Sequence, residues 1–128
     1  MSRTSNAAKL HMITALTSYA DSGAGAATIV FYDDTMPATT EDAANDSAKL
    51  VTLTLPEPCF KEVTVDYVEL YPSDTATVIK TGTATWARLF NGAGASVMDL
   101  VVGTDIALAN TSLAVGGTLN AQSIKLQP

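Results

Sequence analysis

Residues 75–103, TATVIKTGTATWARLFNGAGASVMDLVVG, decide how this chain is read. They hold its single Trp, Trp86, in a run where Trp86, Arg88 and Phe90 fall on one side and Thr85, Ala87 and Leu89 on the other, because strand side chains alternate with period two. Asn91-Gly92-Ala93-Gly94 follows. Asn-Gly readily supplies the positive φ angles of a tight hairpin turn, and the added Ala-Gly lengthens it into a loop of about three to five residues. Residues 97–102 are therefore expected to return as an antiparallel strand.

Upstream of this hairpin, residues 63–71 read as a strand in which Val63, Val65 and Tyr67 alternate with Thr64, Asp66 and Val68, closed by Pro72-Ser73-Asp74. Residues 50–55 alternate more cleanly, Val51, Leu53 and Leu55 inward against Thr52 and Thr54, and stop at Pro56-Glu57-Pro58, since two prolines cannot donate to a ladder. Residues 28–32, TIVFY, are a strand by β-branched and aromatic content. Between these, residues 33–47 are polar, contain Pro37 and lack an apolar period, so they read as a surface loop. Lys80-Thr81-Gly82 reads as a turn or a bulge. Downstream come a short run at 106–109, a turn at Asn110-Thr111, and a last strand over 118–126 entered through Gly116-Gly117.

Residues 6–22 have helical spacing instead. Leu10, Ile13, Leu16 and Ala20 form one stripe, with His11, Thr14, Ser18 and Asp21 opposite, Ser5 as N-cap and Gly23 or Gly25 as the stop. Ser22-Gly23-Ala24-Gly25-Ala26 reads as a flexible joint. Either the β domain or a neighbouring subunit must cover the stripe, which makes Leu10, Ile13, Leu16 and Ala20 the candidate partner contact. Short strands separated by turn signals, behind one N-terminal helix, predict a mainly β protein: an antiparallel β-sandwich of about seven or eight strands. The helix and joint would occupy 1–25 and the sandwich 26–128.

The totals exclude several function classes. With 128 residues the chain is long enough for one domain with its own core. The single Cys59 cannot form an internal disulfide, which suits a protein made in a reducing cytoplasm or one indifferent to redox state. A net charge of −6 with only 7 scattered basic residues argues against a nucleic-acid surface. No apolar run approaches the ~20 residues that span a bilayer, and His11, Thr14, Thr17, Ser18 and Asp21 interrupt what would have to be a signal-peptide core. Charged residues make up 16% of the chain against roughly 25% in an ordinary soluble domain, so its surface is either small and neutral or covered by a partner.

Chemical motifs are absent. One His and one Cys cannot make a zinc site of the usual Cys/His type, and a Cys59–His11 nucleophile pair would need a third, orienting group. There is no phosphate-binding Gly-rich loop, no GxGxxG and no GxSxG. Asp33, Asp34, Glu41, Asp42 and Asp46 are the residues from which a calcium site would be built, but they lack EF-hand spacing and read as a solvated acidic loop. No catalytic, cofactor-binding or metal-binding residue is assigned.

A resemblance adds to this reading. Residues 82–89 (GTATWARL), the Gly-containing turn, residues 97–103 (VMDLVVG), Asp105, Asn110-Thr111, Gly116-Gly117 and the final strand before Pro128 resemble a family of small structural proteins of tailed bacteriophages and prophages. Residues 28–32, Pro37 and residues 50–56 resemble that family's opening strands. Leu100-Val101-Val102 departs from it where more Gly is expected. The resemblance implies a non-enzymatic virion component without cofactors, made in the host cytoplasm and present in several copies. Its partners would be other virion proteins of the capsid, neck or tail, in a decoration, cement or collar role at the head surface or head-tail neck. The alternatives are a tail-associated protein and a small carbohydrate-binding sandwich; the latter usually needs several exposed aromatics, and this chain has one Trp, four Tyr and three Phe.

Overall fold

The computed structural model describes residues 5–106, 108, 110–120 and 124–126. The chain is mainly β and antiparallel, with one N-terminal helix, in a sandwich-like arrangement. Its centre is a four-stranded sheet ordered β2 (Lys49–Thr54), β1 (Thr28–Tyr32), β7 (Trp86–Phe90) and β8 (Ser96–Val101). The β7–β8 hairpin forms as the sequence predicts, with Trp86 opposite Val101 and Arg88 opposite Asp99. Beside it, β11 (Ile124–Leu126), β4 (Val68–Leu70) and β3 (Phe60–Val63) form a three-stranded sheet. Two small ladders complete the set, β10 (Thr118–Leu119) with β5 (Ala76–Thr77), and β6 (Gly82–Thr83) with β9 (Ser112–Leu113).

The eleven strands among the described residues exceed the seven or eight expected because runs read as single strands divide. Residues 63–71 make a turn: Thr64 N–H donates to Tyr67 O at 2.8 Å, and Thr64 Oγ1 accepts from Asp66 N and Tyr67 N. Val63 and Val65 therefore stand exposed at the end of a β3–β4 hairpin instead of pointing inward. The 118–126 run becomes β10 and β11, whose partners lie in different sheets; its residues 121–123 lie outside the described ones. In the 106–109 run, Ile106 is buried and bridges to Val102, and residues 107 and 109 lie outside the described ones. Lys80-Thr81-Gly82 is no bulge in a longer strand: Lys80 and Thr81 end the link between β5 and β6, and Gly82 opens β6.

Both faces of the central sheet are covered, as the burial of four of the five β7 residues records. The Ala87 and Leu89 side joins the main core with Ile29, Phe31, Leu53 and Leu100. Trp86, Val30 and Tyr32 form a second, smaller cluster on the other side, packed with Ala48, Ala44 and Phe90.

The helix, α1 (Asn6–Ala20), starts at Ser5, whose Oγ accepts from Ala8 N at 3.1 Å, and ends two residues earlier than the spacing suggested, with Asp21 as C-cap. Its exit is pinned to the hairpin turn. Gly92 N donates to Ser22 O at 2.8 Å and Gly25 N to Gly92 O at 3.2 Å, so the segment read as a flexible joint is held by backbone hydrogen bonds. A β-carbon on Gly92 would overlap the Gly25 carbonyl, which explains a glycine there by close approach. The positive φ expected of Asn-Gly belongs instead to Gly94, at +87°. Asn91 holds the turn with its side chain, Oδ1 accepting from Ala93 N and Ala95 N while Nδ2 donates to Ser22 Oγ.

Gly92→Ala is expected to cost about 1–3 kcal/mol by overpacking this junction, read as a lower urea midpoint with an unchanged slope. An unchanged midpoint would show that the helix exit and the hairpin turn are not tightly joined.

Candidate functional site

The chemistry-bearing side chains concentrate in three places, and each place uses them to hold the chain together. The largest is under residues 33–47. Arg88 projects from the middle of β7, its side chain 3% exposed, and makes a two-pronged pair with Asp99 on β8: Nε donates to Oδ1 at 2.6 Å and Nη2 to Oδ2 at 3.2 Å. Nη1 donates to the Asp42 carbonyl at 2.7 Å and Nη2 also reaches the Thr39 carbonyl at 3.4 Å. The guanidinium lies 5.3 Å from the Trp86 ring centre, and Trp86 stacks on Tyr32 with ring centres 4.5 Å apart. Trp86 Nε1 donates to Asp34 Oδ1 at 2.8 Å, so this ring is buried, not offered for stacking on a ligand.

The electrostatics follow from that geometry. Hydrogen bonding to Asp99 raises the Arg88 pKa, against the opposing effect of burial. Burial likewise pushes the Tyr32 hydroxyl up, with Arg88 pulling it partly back.

Residues 33–47 are thus a surface loop, as the sequence predicts, that also serves as a structural cover. Lys80 Nζ ties its two ends, donating to Asp33 Oδ2 at 2.9 Å and to Ser47 O at 3.0 Å. Ser96 Oγ donates to Thr40 O within it. The five acids that a calcium site would use are dispersed: Asp33 on Lys80, Asp34 on Trp86, Asp42 on the Thr39 N–H, Asp46 3.9 Å from Lys49, and Glu41 on the exposed surface. No group of three or more His, Cys, Asp or Glu side chains suited to a metal occurs among the described residues.

The second place is the C-terminal end of α1. Cys59 is fully buried, its N–H donating to Asp21 Oδ1 at 3.0 Å and its thiol facing Thr17 O at 3.8 Å. Burial, reinforced by Asp21, pushes the thiol up to about 12, the opposite of an activated nucleophile. His11 sits two turns away on the exposed side, so the structure does not bring the two together.

The third place is a cavity of about 420 Å³ between the first half of α1 and the β3–β4 turn, lined by Asn6, Leu10, His11, Thr14, Val63 and Val65 among others. Asn6 Nδ2 closes one side by donating to Val65 O. Its walls are mainly apolar and no pair of titratable groups converges there, an arrangement suited to contact rather than proton transfer.

The four residues of the candidate partner contact lie on the inner side of α1. Leu10 and Ala20 are buried, Ala20 lies in the main core, and half-buried Ile13 and Leu16 pack against it, so the β domain of the same chain covers part of the stripe. What sequence reading missed is the opposite side of α1, where Met12 is 63% and Tyr19 50% exposed. Comparison with protein-family models, with curated proteins and with solved structures finds no match.

Arg88→Met is expected to cost about 3–5 kcal/mol, because Asp99 is left buried without its partner. Arg88→Met with Asp99→Leu should cost less than the two single changes summed, a coupling measurable by urea unfolding; strict additivity would mean the pair is not buried as described. For Cys59, the sign is fixed by the unfolded chain ionising first. Between its ordinary value near 9 and about 12 the unfolded thiol loses its proton while the folded one keeps it, so stability falls as pH rises. The slope contributed is at most about 1.4 kcal/mol per pH unit and should vanish in Cys59→Ala. Equal slopes for the two proteins would contradict the burial.

Proposed function

We propose that this chain is a non-enzymatic structural component of a tailed-phage particle, carried in several copies at the head surface or the head-tail neck as a decoration, cement or collar protein. The observation that carries the reading is how the side chains divide. The buried polar groups, Arg88, Asp99 and Cys59, are engaged within the frame, whereas Met12, Tyr19, Val63, Val65, Ile79 and Val115 face outward. Among the described residues such a surface offers apolar contact area and no poised acid, base or nucleophile. The residues that carry the resemblance to phage structural proteins, from Gly82 to Leu89 and from Val97 to Gly103, build the β7–β8 hairpin at the centre of the sheet. A carbohydrate-binding role gains no support from the one Trp, since Trp86 is 1% exposed.

The test is to purify the particles of the phage or induced prophage that encodes the chain and probe them with an antibody against it. Co-purification in multiple copies per particle, at the radius of the head or neck, is the expected result. Recovery along the tail would relocate the protein, and recovery only in the particle-free lysate would overturn the reading.

A further inference from the structure

Asn-Gly occurs once in this chain, at Asn91-Gly92, and it lies where the helix exit meets the β7–β8 turn. That dipeptide carries a chemistry of its own. In an open chain the Gly92 nitrogen, once deprotonated, attacks the Asn91 Cγ, because a glycine puts no β-carbon in the way. A C–N bond forms, the Cγ–Nδ2 bond breaks, and ammonia leaves with the proton that the Gly92 nitrogen gave up, so a five-membered imide remains. Water then opens the imide at one of its two carbonyls. The product is aspartate or, where the main chain now passes through the former side chain, isoaspartate.

In the folded chain each reacting group is held. Asn91 is 6% exposed, its Oδ1 accepting from Ala93 N at 3.0 Å and Ala95 N at 2.9 Å. Its own N–H donates to Ala95 O at 2.9 Å and its carbonyl accepts from Gly94 N at 3.0 Å. The nucleophile and the leaving group, however, are both held by Ser22, at the end of α1: Gly92 N donates to Ser22 O at 2.8 Å, and Asn91 Nδ2 donates to Ser22 Oγ at 3.3 Å. A backbone amide bonded in this way yields its proton to base only when the structure opens there, as in hydrogen exchange. We propose that Asn91-Gly92 is a self-modification site gated by the helix exit, closed while Ser22 sits on the turn and open to imide formation when the end of α1 leaves it.

The conversion runs one way. Ser22 Oγ gives its proton to Tyr19 O at 2.6 Å, so toward residue 91 it presents an acceptor, which suits the amide of Asn91. A carboxylate in that place sets a negative oxygen against that acceptor, and relieving the repulsion by turning the Ser22 hydroxyl round gives up the Tyr19 contact. Isoaspartate lengthens the main chain by a methylene just before Gly92, which carries the Gly92 N–H away from Ser22 O. Either product weakens the closure that had prevented it, so an exit once opened and modified does not reseat as firmly.

The test is to age the full chain in mildly alkaline buffer and follow isoaspartate at position 91 by peptide mass spectrometry, beside the same chain in urea and beside Gly23→Ala. Gly23 has φ +103° and a β-carbon on it would overlap Ala93 N, so this variant pushes the exit off the turn without altering either reacting residue. Conversion should be at least roughly tenfold slower in the native chain than in urea, and at least roughly tenfold faster in Gly23→Ala than in the native chain. Native-state hydrogen exchange keeps the test open should that variant misfold. The Gly92 amide should exchange faster than the amides within β7, and Asn91→Asp should speed exchange at Gly25 and Gly92 while leaving β7 unchanged. Conversion as fast in the native chain as in urea, a Gly23→Ala chain no faster than the native one, a common exchange rate for Gly92 and β7, or full protection of Gly25 and Gly92 in Asn91→Asp overturns the proposal.

Discussion

A guanidinium in the middle of a central strand must have its charge matched and its donors satisfied, or the strand is not stable there. Arg88 meets that condition with the Asp99 carboxylate on the next strand, the carbonyls of Thr39 and Asp42 above it, and the Trp86 ring beside it. Removing such a charge from water costs several kcal/mol, and good pairing geometry is what offsets it. The consequence reaches beyond the pair. A polar segment with no apolar period of its own, residues 33–47, is held over the sheet by accepting from Arg88, and that closes the second cluster of Trp86, Tyr32 and Val30. The central sheet is therefore buried on both faces, with different means on each: aliphatic packing on the Ala87 side and a polar strap on the Trp86 side.

The same sheet fixes the helix. Backbone hydrogen bonds between Ser22, Gly25 and the Gly92 turn place the end of α1 against the β7–β8 hairpin, and Asp21 and Thr17 receive Cys59 from the strand side. The chain direction leaving the helix is thus set before β1 begins. A joint that looked free in composition is constrained because glycine, while permissive alone, also allows two backbones to approach within hydrogen-bonding distance.

Legibility in the sequence followed local pattern. The strands β1, β2, β7 and β8 were readable because their side chains alternate or are β-branched and aromatic over five or six residues, and the Ser5 cap because its Oγ stands just before a helical period. Residues 63–71 were misread because Val63, Val65 and Tyr67 continue a period of two through a turn, and only Thr64 and Asp66 marked it. The two-residue strands β5, β6, β9 and β10 left no local pattern, since each is defined by a partner some thirty or forty residues away. The polar network had no motif at all; Arg88 and Asp99 become a pair only through the hairpin register. On α1 the inner stripe was legible, although exposed Met12 and Tyr19 on the other side lower the contrast by which such a stripe is recognised.

The exposed Met12 and Tyr19 bear on the unusually low charge of the chain. At 16% charged residues, solubility rests on a few acids, and these are gathered largely where they brace the fold: Asp34 on Trp86, Asp33 on Lys80, Asp99 on Arg88. A carboxylate engaged in this way contributes less to repulsion between molecules than one free on the surface, because its neighbour carries the opposite charge or a donor dipole. The molecule can therefore be net acidic and still expose Met12 and Tyr19 on α1 with no carboxylate between them in the helix. For a monomeric domain such a division has a cost, since exposed Met and Tyr are a route to aggregation.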